Sequence, residues 1–208
     1  MRVRITFAKT DAMRYTGHLD LHRVWERTMR RAGLPLAYSQ GFNPHPRLQL
    51  AAALPLGFTS ECEVLDAWFE EPVPVSEVAA RLEKASPPGI QLISINEVDL
   101  HEPALQTRVR YSEYVATLLF SVPDLAMRIT RLLALPSIMR ARRGKRYDLR
   151  PLVQELETLP EDDLGQASIR MLLSAQEGAT GRPEEVLEAL EIPPENARVH
   201  RTRLILEE

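Results

Sequence analysis

Three of the five histidines, His18, His22 and His45, fall within the stretch Arg14–Gly57. His18 and His22 are four residues apart with Asp20 between them, and on a helix that spacing lets two imidazoles share one metal ion. His45 is then the candidate third ligand. The stretch lacks the glutamate of an HExxH site, so the opposing reading is that His18 orients a helix start and His22 covers the edge of a core. Histidine titrates near neutrality, which also makes His18 or His45 a candidate general base beside an anionic substrate. His101 and His200 have no partner in sequence and receive no role.

The second kind of chemistry is cationic. Arg140, Arg142, Arg143, Lys145, Arg146 and Arg150 lie close together with Asp148 as their only acid and Tyr147 among them. Such a ribbon suits phosphates, with an aromatic available to stack on a base. The competing reading is a solvated hairpin neutralised by the acids of segment 155–163. A second set, Arg23, Arg27, Arg30 and Arg31, shares its neighbourhood with Asp20 and Glu26 only. The net charge of −3 conceals an alternation. Residues 1–50 carry +6, 51–100 carry −7, 101–150 carry +6 and 151–208 carry −8. This order suggests two similar halves, and the small total does not argue against a polyanionic partner.

These groups need elements to position them. Leu21, Val24, Trp25, Thr28, Met29 and Ala32 recur at helical spacing, so a helix over 17–32 buries one side and carries the arginines on another. Gly33 and Pro35 stop it. Gly41, Pro44 and Pro46 then preclude a regular strand or helix, leaving a shaped loop with Ser39, Gln40, Gly41, Phe42, Asn43, His45 and Arg47 as candidate binding residues. The apolar runs 34–38 and 48–54 are expected to hold that loop as strands or strand ends.

GHLDLHRVWERTMRRAGLP, YSQGFNPHPRL and ALPLGFTSECEVLD resemble the signature segments of an uncharacterised radical-SAM-linked protein family. Its members occur alone or fused behind a cobalamin-binding radical SAM enzyme. The resemblance covers about the first third of the chain. It implies a radical SAM protein with a cobalamin-binding domain as partner, and it names no reaction. Nothing is carried over to Cys62. A radical SAM cluster needs three cysteines, and the chain has one, so the resemblance implies an assisting role.

The composition, 44% hydrophobic and 26% charged, is that of a globular protein able to bury a core. The single cysteine excludes an internal disulfide and a multi-cysteine metal site. No apolar run approaches the roughly 20 residues of a membrane span, and the N-terminus lacks a signal-like apolar stretch, so no membrane association and a cytoplasmic location are expected. Neither a phosphate-binding glycine loop, a Ser/His/Asp triad nor a dinucleotide fingerprint is present, and no cofactor is expected.

In order, strands are expected over 2–8, 48–54, 61–69 and 90–98, with helices over 17–32 and 75–85. That is βαββαβ, the ferredoxin-like arrangement of an antiparallel sheet under two helices. The second half repeats it, with strands over 111–120, 167–175 and 197–206, helices over 123–135 and 183–190, and over 139–153 a hairpin around Arg143-Gly144-Lys145 that could equally be a short helix. The expected architecture is α+β, with tandem ferredoxin-like domains over 1–100 and 110–208 joined by a linker, 101–109. The expected function is a non-catalytic accessory or substrate-binding module, RNA being one candidate ligand, that works with a radical SAM enzyme. The alternative is an RNA-processing or metal-dependent enzyme using His18, His22 and His45.

Overall fold

Alternation in Arg2–Lys9 (β1) turns Val3, Ile5 and Phe7 inward, where each is fully buried in the computed structural model, which describes residues 1–142 and 144–207. The chain is α+β, with antiparallel strand pairs, and divides into two compact units, Met1–Arg108 and the part from Val109 on.

In the first unit β1 is followed by α1 (His18–Arg31), β2 (Leu48–Leu50), β3 (Thr59–Trp68), α2 (Val75–Ala85), β4 (Ile90–Val98) and the short α3 (Leu105–Arg108). The strands pair antiparallel in the order β4–β1–β3–β2. Helical periodicity places Leu21, Trp25, Thr28 and Met29 of α1 in the interior, and Val78 and Leu82 of α2 join the same core. There Trp25 meets Phe7 edge to face, ring centres 4.7 Å apart, a geometry worth about 0.5–1.5 kcal/mol beyond burial.

The run 48–54 keeps only Leu48–Leu50 as strand, although Ala51 and Leu54 are buried; its apolarity serves burial beyond the end of the ladder. Between 34 and 38 the pairing reduces to isolated bridges, Leu36 with Phe69 and Tyr38 with Pro46, because Pro35 and Pro46 have no N–H to extend a ladder. Segment 101–108 is docked on this unit. Leu105 is fully buried and its N–H donates to Gln49 Oε1 at 3.0 Å. Arg2 donates to the carbonyls of Glu102 and Pro103.

The second unit contains β5 (Val109–Leu118), α4 (Leu125–Ala134), β6 (Met139–Arg142), β7 (Lys145–Asp148), β8 (Val153–Leu159), β9 (Ser168–Gln176), β10 (Ala179–Thr180), α5 (Pro183–Ala189) and β11 (Ala197–Leu206). Its strands pair antiparallel as β11–β5–β9–β8, repeating the order of the first unit, while β10 folds back on the end of β9. The β6–β7 hairpin is an insertion between α4 and β8. It turns at Gly144, whose φ of 77° is cheap only without a Cβ. Among the described residues no helix is long and apolar enough to cross a membrane.

Candidate nucleic-acid interface

The pairing register of the hairpin decides what it presents. Arg140 opposes Tyr147 and Arg142 opposes Lys145. Directly opposed residues of antiparallel strands share a face, as do residues two apart on one strand, so Arg140, Arg142, Lys145 and Tyr147 lie on one face. Arg142, Lys145, Arg146 and Tyr147 line a cavity of about 570 Å³ together with Asp148, Leu152 and the turn Gly178, Ala179, Thr180. The volume falls within the roughly 300–1,000 Å³ of small-molecule sites.

No ion pair among the described residues involves Arg140, Arg142, Lys145 or Arg146, and Arg140 Nε is buried without a hydrogen-bond partner. Several nearby acids have other partners, while Asp148 lines the cavity and Glu185 lies beside Tyr147. Glu155 and Glu157 each lie 2.6 Å from Arg170, which also meets Glu113 at 2.8 Å. Asp162 accepts from the N–H groups of Leu164 and Gln166. Asp148 accepts from Ile138 and Arg150 N–H at 2.7 and 3.0 Å, bonds that hold its carboxyl below the usual range.

Arg150, the last cation of the run, is structural, donating to the carbonyls of Leu133 and Val153 and fixing the hairpin base. Burial, reinforced by the Glu185 carboxylate, pushes the Tyr147 phenol up to about 12. Tyr147 therefore stays neutral at physiological pH. Leu152, Gly178, Ala179 and Thr180 join this site through tertiary structure; the only local signal was Glu177-Gly178 as a turn. Arg143 lies outside the described residues.

The arginines of α1 are largely committed. Arg23 pairs with Asp20 at 3.0 Å and Arg30 with Glu26 at 2.7 Å. Arg31 donates to the Ala85 carbonyl at the end of α2. Arg27 is exposed and makes no ion pair with any described residue. The expected cationic stripe is thus reduced by pairing within the helix and by a helix–helix tether.

Residues 39–45 form a closed loop. Ser39 N–H donates to the His45 carbonyl at 2.8 Å, and His45 N–H donates to Ser39 Oγ at 3.0 Å. Ser39, Gln40, Gly41, Asn43 and His45 are exposed, and Phe42 stands fully in solvent. Arg47 lies over the Trp68 ring, 5.0 Å from its centre. His22 Nε2 lies 3.3 Å from the Leu48 carbonyl, tying α1 to β2, and His18 opens α1 half-buried. Among the described residues no group of three or more His, Cys, Asp or Glu is placed to hold a metal ion.

No curated protein matches this sequence. Solved structures match this chain, two of them at 14% identity, and the chain spans about half the length of each of these two matched chains. A crystal structure of a Cbf5-Nop10-Gar1 complex matches with a TM-score of 0.50, over 99% of this chain and 50% of the other. The archaeal box H/ACA sRNP Nop10-Cbf5 complex matches with a TM-score of 0.48, over 99% and 49%. Residues 2–183 match a bacterial family, and the chain belongs to that family, described as an uncharacterized protein conserved in bacteria, DUF2344.

Proposed function

We propose that this protein is a non-catalytic RNA-binding module whose interface is the β6–β7 hairpin and the cavity beside it. The observation that carries the reading is the face formed by Arg140, Arg142, Lys145 and Tyr147, close to a cavity and without ion pairs to described acids. Phosphate contacts by such cations supply sequence-independent affinity, and a neutral phenol offers a stacking surface. Fluorescence anisotropy with a labelled single-stranded RNA tests it. Binding at low salt that is lost in the combined Arg142→Ala, Lys145→Ala, Arg146→Ala variant supports the proposal, and binding unaffected by those changes removes it.

The partner remains the one that the resemblance implies, a cobalamin-binding radical SAM protein, with this chain presenting substrate in the cytoplasm. Co-purification of a radical SAM protein with the tagged chain from its host is the expected result; its absence leaves RNA binding without that partner. Each unit reads as ferredoxin-like. Support for that reading is the β4–β1–β3–β2 order and its counterpart β11–β5–β9–β8, with the basic hairpin inserted into the second unit.

A further inference from the structure

We infer that the cavity seats a single nucleotide of the bound strand, its base against the Tyr147–Leu152–Ala179 wall and its phosphate among Arg142, Lys145 and Arg146. This rests on the RNA-binding reading and adds what the cavity is for. Cations on a plain ribbon would hold a backbone passing over the surface. Here the lining is divided: Lys145 and Arg146 are exposed at the rim, while Tyr147, Leu152 and Ala179 are half-buried within, beside the Asp148 carboxylate, which accepts from the Ile138 and Arg150 N–H groups. A charged rim over a partly apolar floor matches a nucleotide, whose one end is anionic and whose other is a flat ring system able to stack.

The wall opposite the hairpin is tied by hydrogen bonds within its own turn. Ser174 Oγ donates to the Ala179 carbonyl at 2.6 Å, Thr180 Oγ1 donates to the Gln176 carbonyl at 2.9 Å, and Gly181 N–H donates to the Ser174 carbonyl at 2.8 Å. Gly181 permits close approach to Leu152, since a Cβ there would stand 3.1 Å from the Leu152 carbonyl oxygen and 3.3 Å from its Cβ. These bonds and the close approach hold the floor in one arrangement, and a site held in this way loses less entropy on binding.

Amide NMR of the full chain, with nucleoside 5′-monophosphate, inorganic phosphate and single-stranded RNA as separate probes, tests the inference. The monophosphate should shift the Gly178, Ala179 and Thr180 amides, and inorganic phosphate should leave them in place. An RNA with abasic positions should bind about tenfold more weakly than the intact strand, the loss expected for one stacked base. Ala179→Trp, which fills the floor, should abolish the monophosphate response while the rim still binds RNA. If RNA binds and the monophosphate leaves these amides unmoved, with abasic and intact strands equal, the nucleotide seat is overturned and backbone binding stands. If RNA fails to bind at low salt, the RNA-binding reading falls and the seat falls with it.

Discussion

Glu155 lies 2.6 Å from Arg170, reaching it diagonally across the paired strands β8 and β9, where Glu157 is the residue directly opposite Arg170. Glu157 and Glu113 share this engagement, which gives three acids of the unit a partner other than the hairpin. Removing the guanidinium by Arg170→Met should cost about 1–3 kcal/mol, because Glu113, whose side chain is 11% exposed, would lose a charged partner while desolvated. Against burial, hydrogen bonds from Thr202 and Arg170 hold Glu113 below its ordinary 4.5. Its stabilising contribution is thus present above that pH and lost as pH falls through the lowered value. Urea denaturation at neutral and acidic pH should show the variant deficit shrinking on the acid side.

A second prediction concerns Asp66, fully buried on β3 and shared by two arginines of β1. Arg2 donates to it at 2.6 and 3.0 Å, and Arg4 at 2.9 and 3.0 Å. Asp66→Asn leaves the buried Arg2 cation without its counter-charge, a change worth about 3–5 kcal/mol. Denaturant midpoints should fall accordingly, and replacing all three groups by apolar residues of similar volume should recover much of the loss.

How much of this was legible differs by the range of the interaction. The 3.6-residue spacing of Leu21, Trp25, Thr28 and Met29 is local, and it placed α1 and its buried side. The bounds expected for α2 and β4 agree with those observed. Pairing partners are not local. Nothing near Glu155 and Glu157 announces Arg170, and nothing near Arg2 announces Asp66, since strand register selects both. The α1 arginines read as a stripe in sequence, and i,i+3 pairing of Arg23 with Asp20 and i,i+4 pairing of Arg30 with Glu26 take two of its charges. The cavity floor escaped altogether, as Leu152 and Ala179 meet only in the fold.

Tyr147 should identify itself by titration. Its phenol is raised to about 12 by burial and by Glu185, so its contribution to stability is complete below the ordinary value of 10.0 and disappears as pH rises through the raised one. Of the five tyrosines, one should ionise last in an ultraviolet difference titration, and Tyr147→Phe should remove that final phase. A phase that persists in the variant would place the perturbed phenol elsewhere.

Phe42 is fully exposed at the tip of the loop closed by Ser39 and His45. Phe42→Ser should leave stability within about 0.5 kcal/mol, as for surface substitutions that touch no packed feature. Ser39→Ala removes the acceptor of the His45 N–H and should open the neck, seen as faster limited proteolysis within 39–45 at unchanged global stability. A large loss of thermal stability in Phe42→Ser would show that the ring is covered in solution.

Salt dependence separates the two cationic regions. Neutralising Z phosphates of a single strand gives a slope of log affinity on log salt of about −0.7Z, so four contacts from Arg140, Arg142, Lys145 and Arg146 give a slope near −3. Each hairpin Arg→Ala change should flatten it by about 0.7. Arg23→Ala and Arg30→Ala should leave it unchanged, because these cations are already paired with Asp20 and Glu26. Anisotropy across a salt series measures all of these slopes. If the α1 variants flatten the slope and the hairpin variants do not, the phosphates lie along α1 and the interface belongs to the first unit.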